Sequence, residues 1–342
     1  MHTLLRYLLL GALLLVLPLA CNAAAPAPPP RVLATLTLGG AGGWDYLSFD
    51  AVHRHLFVSR GDRVLVIDVD QQQHIGTIAN TPGVHGIALA EDLQRGFTSN
   101  GKGASVTEFD LRTLQTVATI PGTGLNPDAI VYDQPSHHVL TFNGKSHSAS
   151  VIDPATRAVV ATIVLPGKPE FAVSDGSGHV YVNIEDKSEL ARIDTTSNMV
   201  TQVWPLAQCK SPSGLAFDTR HQRLFSVCDN QVMAVTDAID GHHIAAVPIG
   251  DGPDGVVFDA TAGMLYSSNG ESGTITAVHE ESPDLYRVTA TIRTLVSART
   301  VALDPKLHRL YLSAARLGPT RQTSGRPTIE PDSFSVLTVG RP

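Results

Sequence analysis

The chain has 342 residues, 43% hydrophobic, 6% aromatic and 17% charged, with 29 Gly and 22 Pro. That mixture suits a large core made of short strands and tight turns, in one unit rather than two domains. The net charge of −7, or −8 once Arg6 leaves with an N-terminal leader, argues against binding to a nucleic-acid backbone, which needs clustered Lys and Arg.

The N-terminus reads as an export leader over residues 1–25. His2 and Arg6 form a short polar start, and Leu8 to Leu19 is an apolar run too short to span a membrane comfortably. Small residues at Ala20, Ala23, Ala24 and Ala25 offer cleavage points. Leu19-Ala20-Cys21 resembles the end of a lipoprotein box, although Pro18 stands where a branched aliphatic residue is usual. The expectation is a periplasmic or secreted protein, with lipid anchoring at Cys21 as the rival. No transmembrane segment is expected in the mature chain. Residues 26–31 form a Pro/Ala tether.

From residue 32 to 339 one phrase returns seven times. It is clearest in Gly124-Leu125-Asn126-Pro127-Asp128-Ala129-Ile130-Val131. Aligned on Asp45, His85, Asp128, Glu170, Ser213, Asp254 and Arg299, the repeats are 40, 43, 42, 43, 41 and 45 residues apart. Each unit predicts four short strands, such as Ala129–Tyr132, Arg223–Val227, Ala149–Asp153 and Val159–Ile163, and no segment holds a helical period. A period in the forties built from strands is the mark of a β-propeller. The last repeat lacks a fourth strand, and Val32–Leu38 looks like one without a repeat to belong to. Pairing the two closes a seven-bladed, all-β propeller of four-stranded antiparallel blades.

Two segments, Ser99-Asn100-Gly101-Lys102-Gly103-Ala104-Ser105-Val106 and Phe142-Asn143-Gly144-Lys145-Ser146-His147-Ser148-Ala149-Ser150-Val151-Ile152-Asp153, resemble YVTN-type repeats of YncE-like β-propeller proteins. The resemblance spans nearly the whole mature chain. It implies the fold and a periplasmic or surface-exposed bacterial protein, and it leaves function open because propellers host unrelated tasks.

Propeller topology brings two sets of loops to one mouth of the central channel. The first carries Asp45, His85, Asp128, Glu170, Ser213, Asp254 and Arg299. The second carries Arg60, Asn100, Asn143, Asn183, Asp229, Asn269 and Arg316. Asparagines also serve turns and strand ends, which gives Asn100, Asn143, Asn183 and Asn269 a structural reading beside the functional one. Carboxylates crowded at Asp45, Asp128, Glu170 and Asp254 repel one another and call for a cation, with Arg299 as an internal candidate. Carboxylate and amide oxygens suit Ca²⁺ or Mg²⁺, and His85 would add a transition-metal donor. Lys102 and Lys145 follow Asn-Gly turns and are candidate rim charges. Trp44 suits packing between blades better than ligand stacking.

Cys209 lies in the loop entering blade five and Cys228 ends that blade's second strand, close enough for an oxidising compartment to join them, with two unpaired buried thiols as the alternative. The insert from Ala314 to Asp332, with Arg316, Arg321 and Arg326, is either a lid beside an acidic mouth or a mobile surface loop. The excursion from His279 to Asp284 lies on the opposite face.

Three readings follow. The first is a monomeric exported binding protein whose mouth takes a small ligand, a cation or a partner protein through Asp45, His85, Asp128, Glu170, Asp254, Arg299 and the four asparagines. The second is a metal-dependent, lactonase-like hydrolase, with Glu170, Asp254 and Asn143 on a divalent cation and His85 or Asp128 as base. The third is a cell-envelope interaction scaffold.

Overall fold

The computed structural model describes residues 28–321 and 327–342. The leader at 1–25, Cys21 and Arg326 lie outside the described residues. Seven four-stranded antiparallel sheets form a closed β-propeller, and a two-stranded hairpin, Leu317–Arg321 with Pro327–Ile329, projects from the last blade. The innermost strands are Trp44–Asp50, Val84–Ala90, Pro127–Asp133, Pro169–Ser174, Pro212–Asp218, Pro253–Asp259 and Val301–Asp304, one per blade from blade 1 to blade 7. Arg31–Thr37 pairs antiparallel with Ser335–Gly340, so the N-terminal strand is the outer strand of blade 7. No helix among the described residues is long and apolar enough to cross a membrane.

The packing explains the sequence pattern. Second strands such as His55–Arg60 and His138–Asn143 are buried on both faces because blades stack on either side. Outer strands such as Ala158–Val164 alternate exposed and covered positions. The apolar core is divided into seven clusters, each shared by two neighbouring blades. One joins Leu140, Phe142 and Val151 of blade 3 to Val180, Val182 and Ile193 of blade 4. Another joins Leu56 and Val58 of blade 1 to Tyr311 and Val336 of blade 7, which closes the ring.

Hydroxyl and amide groups staple the inner strands to one another near the mouth. Ser48 donates to Ile87 O (2.6 Å), Ser213 to Pro253 O (2.9 Å), Thr300 to Asp45 O (2.6 Å), and Asn183 Nδ2 to Ser213 O (3.0 Å). Ser99 donates to Asp128 O in the same way. Three of these bonds hold the carbonyl of a mouth residue, Asp45, Asp128 or Ser213, on a side chain of the neighbouring blade.

Cys209 and Cys228 form a disulfide with Cα atoms 5.4 Å apart. Cys228 stands opposite Pro212 in the ladder, which brings the entry loop of blade 5 within reach of its second strand.

Candidate functional site

In six of the seven inner strands the pairing register slips across the mouth residue, between Trp44 and Leu47, Val84 and Ile87, Pro127 and Ile130, Pro169 and Ala172, Pro212 and Leu215, and Pro253 and Gly255. A bulge adds a residue and re-aims a side chain. Four of these bulges begin at a proline, which has no N–H for the ladder to lose. The repeated Pro-Asp or Pro-Glu is thus a device for turning a carboxylate into the mouth.

Three carboxylates there have their own cationic partner. His85 Nδ1 lies 2.6 Å from Asp45 Oδ2. Arg299 donates to Asp254 Oδ2 (2.7 Å), Asp45 Oδ1 (3.3 Å) and Trp44 O (3.0 Å). Lys168 Nζ lies 2.7 Å from Glu170 Oε1 and also meets Glu185. Glycines make room for two of these partners. A Cβ at Gly101 would sit 2.7 Å from His85 Nε2, and one at Gly270 2.6 Å from Arg299 Cβ.

Asp128 differs. Among the described residues its carboxylate accepts no hydrogen bond, and its nearest cationic partner is His85 Nδ1 at 3.8 Å. Its side chain is 16% exposed, open enough for a ligand to reach.

The charges shift accordingly. Burial, followed by the charge of Asp45, raises Asp128 to about 6. Burial, followed by the charge of Asp128, raises Glu170 to about 8 against the pull of Lys168. Burial raises Asp254 to about 6 although Arg299 opposes it. Against the downward effect of burial, the Asp45 hydrogen bond and the charge of Asp128 raise His85. Burial, then Asp128, Asp45, Glu170 and Asp254, raise the Tyr46 phenol well above its ordinary value, so it remains a neutral hydroxyl among carboxylates.

Tyr46 also closes the channel. Its ring meets Phe171 edge to face, centroids 5.1 Å apart. Tyr46 belongs to blade 1 and Phe171 to blade 4, three blades round the ring, so the two rings meet across the channel. The equivalent positions elsewhere are Gly86, Ala129, Gly214, Gly255 and Thr300, small enough to leave space for two rings. Beneath the mouth residues the channel is a cavity of about 330 Å³, lined by Ile87, Ile130, Ala172, Leu215, Val256 and Val301 among others. An acidic mouth therefore stands above an aromatic floor and an apolar channel.

The asparagines are elsewhere. Asn100, Asn143 and Asn269 are fully buried inside their own blades. Asn143 Nδ2 donates to Ser148 Oγ (3.2 Å) and Ser150 Oγ (3.0 Å), and Thr141 donates to its Oδ1 (3.3 Å). Asn100 and Asn269 repeat the arrangement. Asn183 staples blade 4 to blade 5. Their amides are committed to the fold and do not face a ligand, which leaves the Glu170, Asp254 and Asn143 donor set without its amide. Ser213 is likewise a staple.

Arg60 turns away as well. It is buried against Phe334, 3.9 Å from guanidinium carbon to ring centroid, and holds the carbonyls of Gly40 and Gly42. Trp44 packs beside it on Phe334. Arg316 pairs with Glu330 (2.6 Å) at the base of the projecting hairpin. Lys102 and Lys145 form no ion pair among the described residues, and the cation that enters the mouth is Lys168. The sequence reading gave no role to Lys168, Tyr46 or Phe171. Comparing repeats one residue after the mouth position exposes the last two, as aromatic outliers among small residues.

No protein-family model matches the chain, and no curated protein matches its sequence. Solved structures do match in fold. The Kuenenia stuttgartiensis hydrazine synthase superposes with a TM-score of 0.70 at 16% identity, covering 86% of this chain and 97% of that one. U3-55K superposes with a TM-score of 0.77 at 10% identity, covering 90% and 99%. The RRP9 WD40 repeats superpose with a TM-score of 0.75 at 12% identity, covering 92% and 99%. At such identities the likeness is one of fold alone, and the resemblance to YVTN-type repeats rests on the residues quoted for it.

Proposed function

We propose that this chain is an exported binding protein whose mouth receives the cationic group of a small ligand, with Asp128 as its counter-ion. The observation that carries the reading is the Asp128 carboxylate, which accepts no hydrogen bond among the described residues and has only a distant share of His85 at 3.8 Å, in a mouth where Asp45, Glu170 and Asp254 each have a closer cation. A half-buried carboxylate that accepts no hydrogen bond is costly, and a bound cation relieves it. The ring edges and faces of Tyr46 and Phe171 favour an organic ammonium or guanidinium, which gains from aromatic contact. The export part of the reading is supported by the leader-like N-terminus and by the disulfide, which is compatible with a periplasmic or extracellular setting.

A metal-dependent hydrolase is the second reading. Asp45, His85 and Asp128 present donor atoms within 4.8 Å of one another. Against it, His85 Nδ1 is already engaged by Asp45 at hydrogen-bonding distance.

The test is calorimetric titration with alkylammonium and guanidinium compounds beside Ca²⁺, Mn²⁺ and Zn²⁺. The expected result is an organic cation whose affinity falls more than about tenfold in Asp128→Asn, as loss of one charge-assisted contact implies, and is unchanged in Asp62→Asn at the surface. Equal binding by Asp128→Asn, or no organic cation bound at all, would overturn the reading.

A further inference from the structure

On the face opposite the mouth, the first turn of most blades is closed by an aspartate, and in four blades that aspartate meets a well-placed donor. Asp50 pairs with His53 Nδ1 at 2.7 Å, Asp259 with His308 Nδ1 at 2.6 Å, and Asp304 with Arg54 at 2.7 Å. Asp133 accepts the hydroxyls of Ser136 and Ser174, both at 2.7 Å.

Blade 5 breaks the pattern. His221 Nδ1 lies 2.8 Å from Asp218 Oδ2 and 3.4 Å from Glu280 Oε2. That nitrogen is shielded from solvent, on a side chain 28% exposed, and makes a directed hydrogen bond to neither oxygen. The second carboxylate is an intruder from blade 6. There the outer hairpin, Thr274–Ser282 with Leu285–Arg293, has strands of nine residues, where Ser148–Asp153 and Ala158–Val164 of blade 3 have six and seven. The extension delivers Glu280 onto the blade 5 turn. Side-chain exposure is 2% for Asp218 and 4% for Glu280, so two carboxylates are buried face to face around one imidazole nitrogen aimed at neither.

We propose that Asp218 Oδ2, His221 Nδ1 and Glu280 Oε2 hold a divalent transition-metal ion that clamps blade 5 to blade 6. The three donors lie within 4.8 Å of one another. With metal–ligand bonds near 2.1 Å, adjacent donors in a tetrahedral or octahedral shell stand roughly 3.0–3.4 Å apart, and the two imidazole distances of 2.8 and 3.4 Å bracket that spacing. One imidazole with two carboxylates is a donor set for zinc or manganese rather than for a thiophilic metal. The supporting contacts are built. Tyr286 donates its hydroxyl toward Glu280 Oε1 (3.1 Å) and Pro283 O (2.8 Å), and Arg223 donates to Pro283 O and Asp284 Oδ1, both at 3.0 Å. Such outer contacts orient ligands. This site is independent of the mouth.

The experiment titrates chelator-treated protein with Zn²⁺ by calorimetry and follows thermal melting, for wild type, Glu280→Gln, His221→Gln, His53→Gln and Asp62→Asn. Expected are one zinc equivalent that raises the melting temperature, an affinity lowered more than about tenfold by Glu280→Gln and His221→Gln, and no change of zinc affinity in His53→Gln or Asp62→Asn. Metal-free Glu280→Gln should melt at or above wild type, because it removes the repulsion with Asp218. Three results overturn the proposal: no zinc-dependent stabilisation of wild type, equal loss in His53→Gln, or a metal-free Glu280→Gln melting well below wild type, which would make Glu280 an ion-pair partner of protonated His221.

Discussion

Asp128, Glu170 and Asp254 bind protons more tightly in the folded chain than as free side chains, and the sign of the consequence follows. A carboxylate raised on folding adds stability that is complete below its unfolded value and is lost as pH rises through its folded value. For Asp128 that window runs from 3.8 to about 6, and for Glu170 from 4.5 to about 8. The groups facing them, Asp45, His85, Lys168, Glu185, Arg299 and Tyr46, belong to the same cluster, so the clean readout is a difference between variants. Asp128→Asn should gain on wild type between pH 4 and pH 6 by up to about 2–3 kcal/mol, two pK units at 1.36 kcal/mol each. Denaturant melts across that range check it, and parallel stability curves would count against the buried charge excess. A cation at Asp128 should bind more tightly at pH 8 than at pH 5 and release protons as it binds.

At the scale of the element, the bulge at the mouth residue and the disulfide determine how firmly the rim is held. The Cys209–Cys228 bond closes a separation of 19 residues and pins the blade 5 entry loop to its second strand. A loop of that length is worth about 3 kcal/mol in the unfolded chain. Cys228→Ser should therefore lower unfolding free energy by about 2–4 kcal/mol, with reducing agent producing the same loss in wild type and none in the variant. The residues of the bulged phrase were legible in sequence because the phrase repeats. The fate of the asparagines was not. Asn100, Asn143 and Asn269 stand at the same mouthward end of their strands, but their side chains turn inward to the hydroxyls of Thr107, Ser150 and Thr276. Facing inward or outward depends on hydroxyls five and seven residues further along, in the next strand. A repeat alignment placed these residues correctly along the chain without revealing which way they point.

At the scale of the whole molecule, stability comes from seven inter-blade cores in a closed circle, and the circle closes through Arg31–Thr37 on Ser335–Gly340. A chain beginning at residue 38 would expose Ser335–Gly340 as an unpaired edge, a template for association with another copy. It should melt lower than the full chain and elute as larger species in size-exclusion with light scattering. A truncated chain as stable and as dispersed as the full one would contradict closure by that strand.

The sequence by itself determined the blade count, the strand order and the closure by the first strand, because each of these is set by a period and by local strand chemistry. Only the tertiary structure decided the rest. That Asp128 accepts no hydrogen bond among the described residues while Lys168 serves Glu170, that Tyr46 and Phe171 meet across the channel, and that Glu280 reaches the blade 5 turn all depend on distances between blades. Those distances are set by packing around the ring, and no spacing along the chain encodes them.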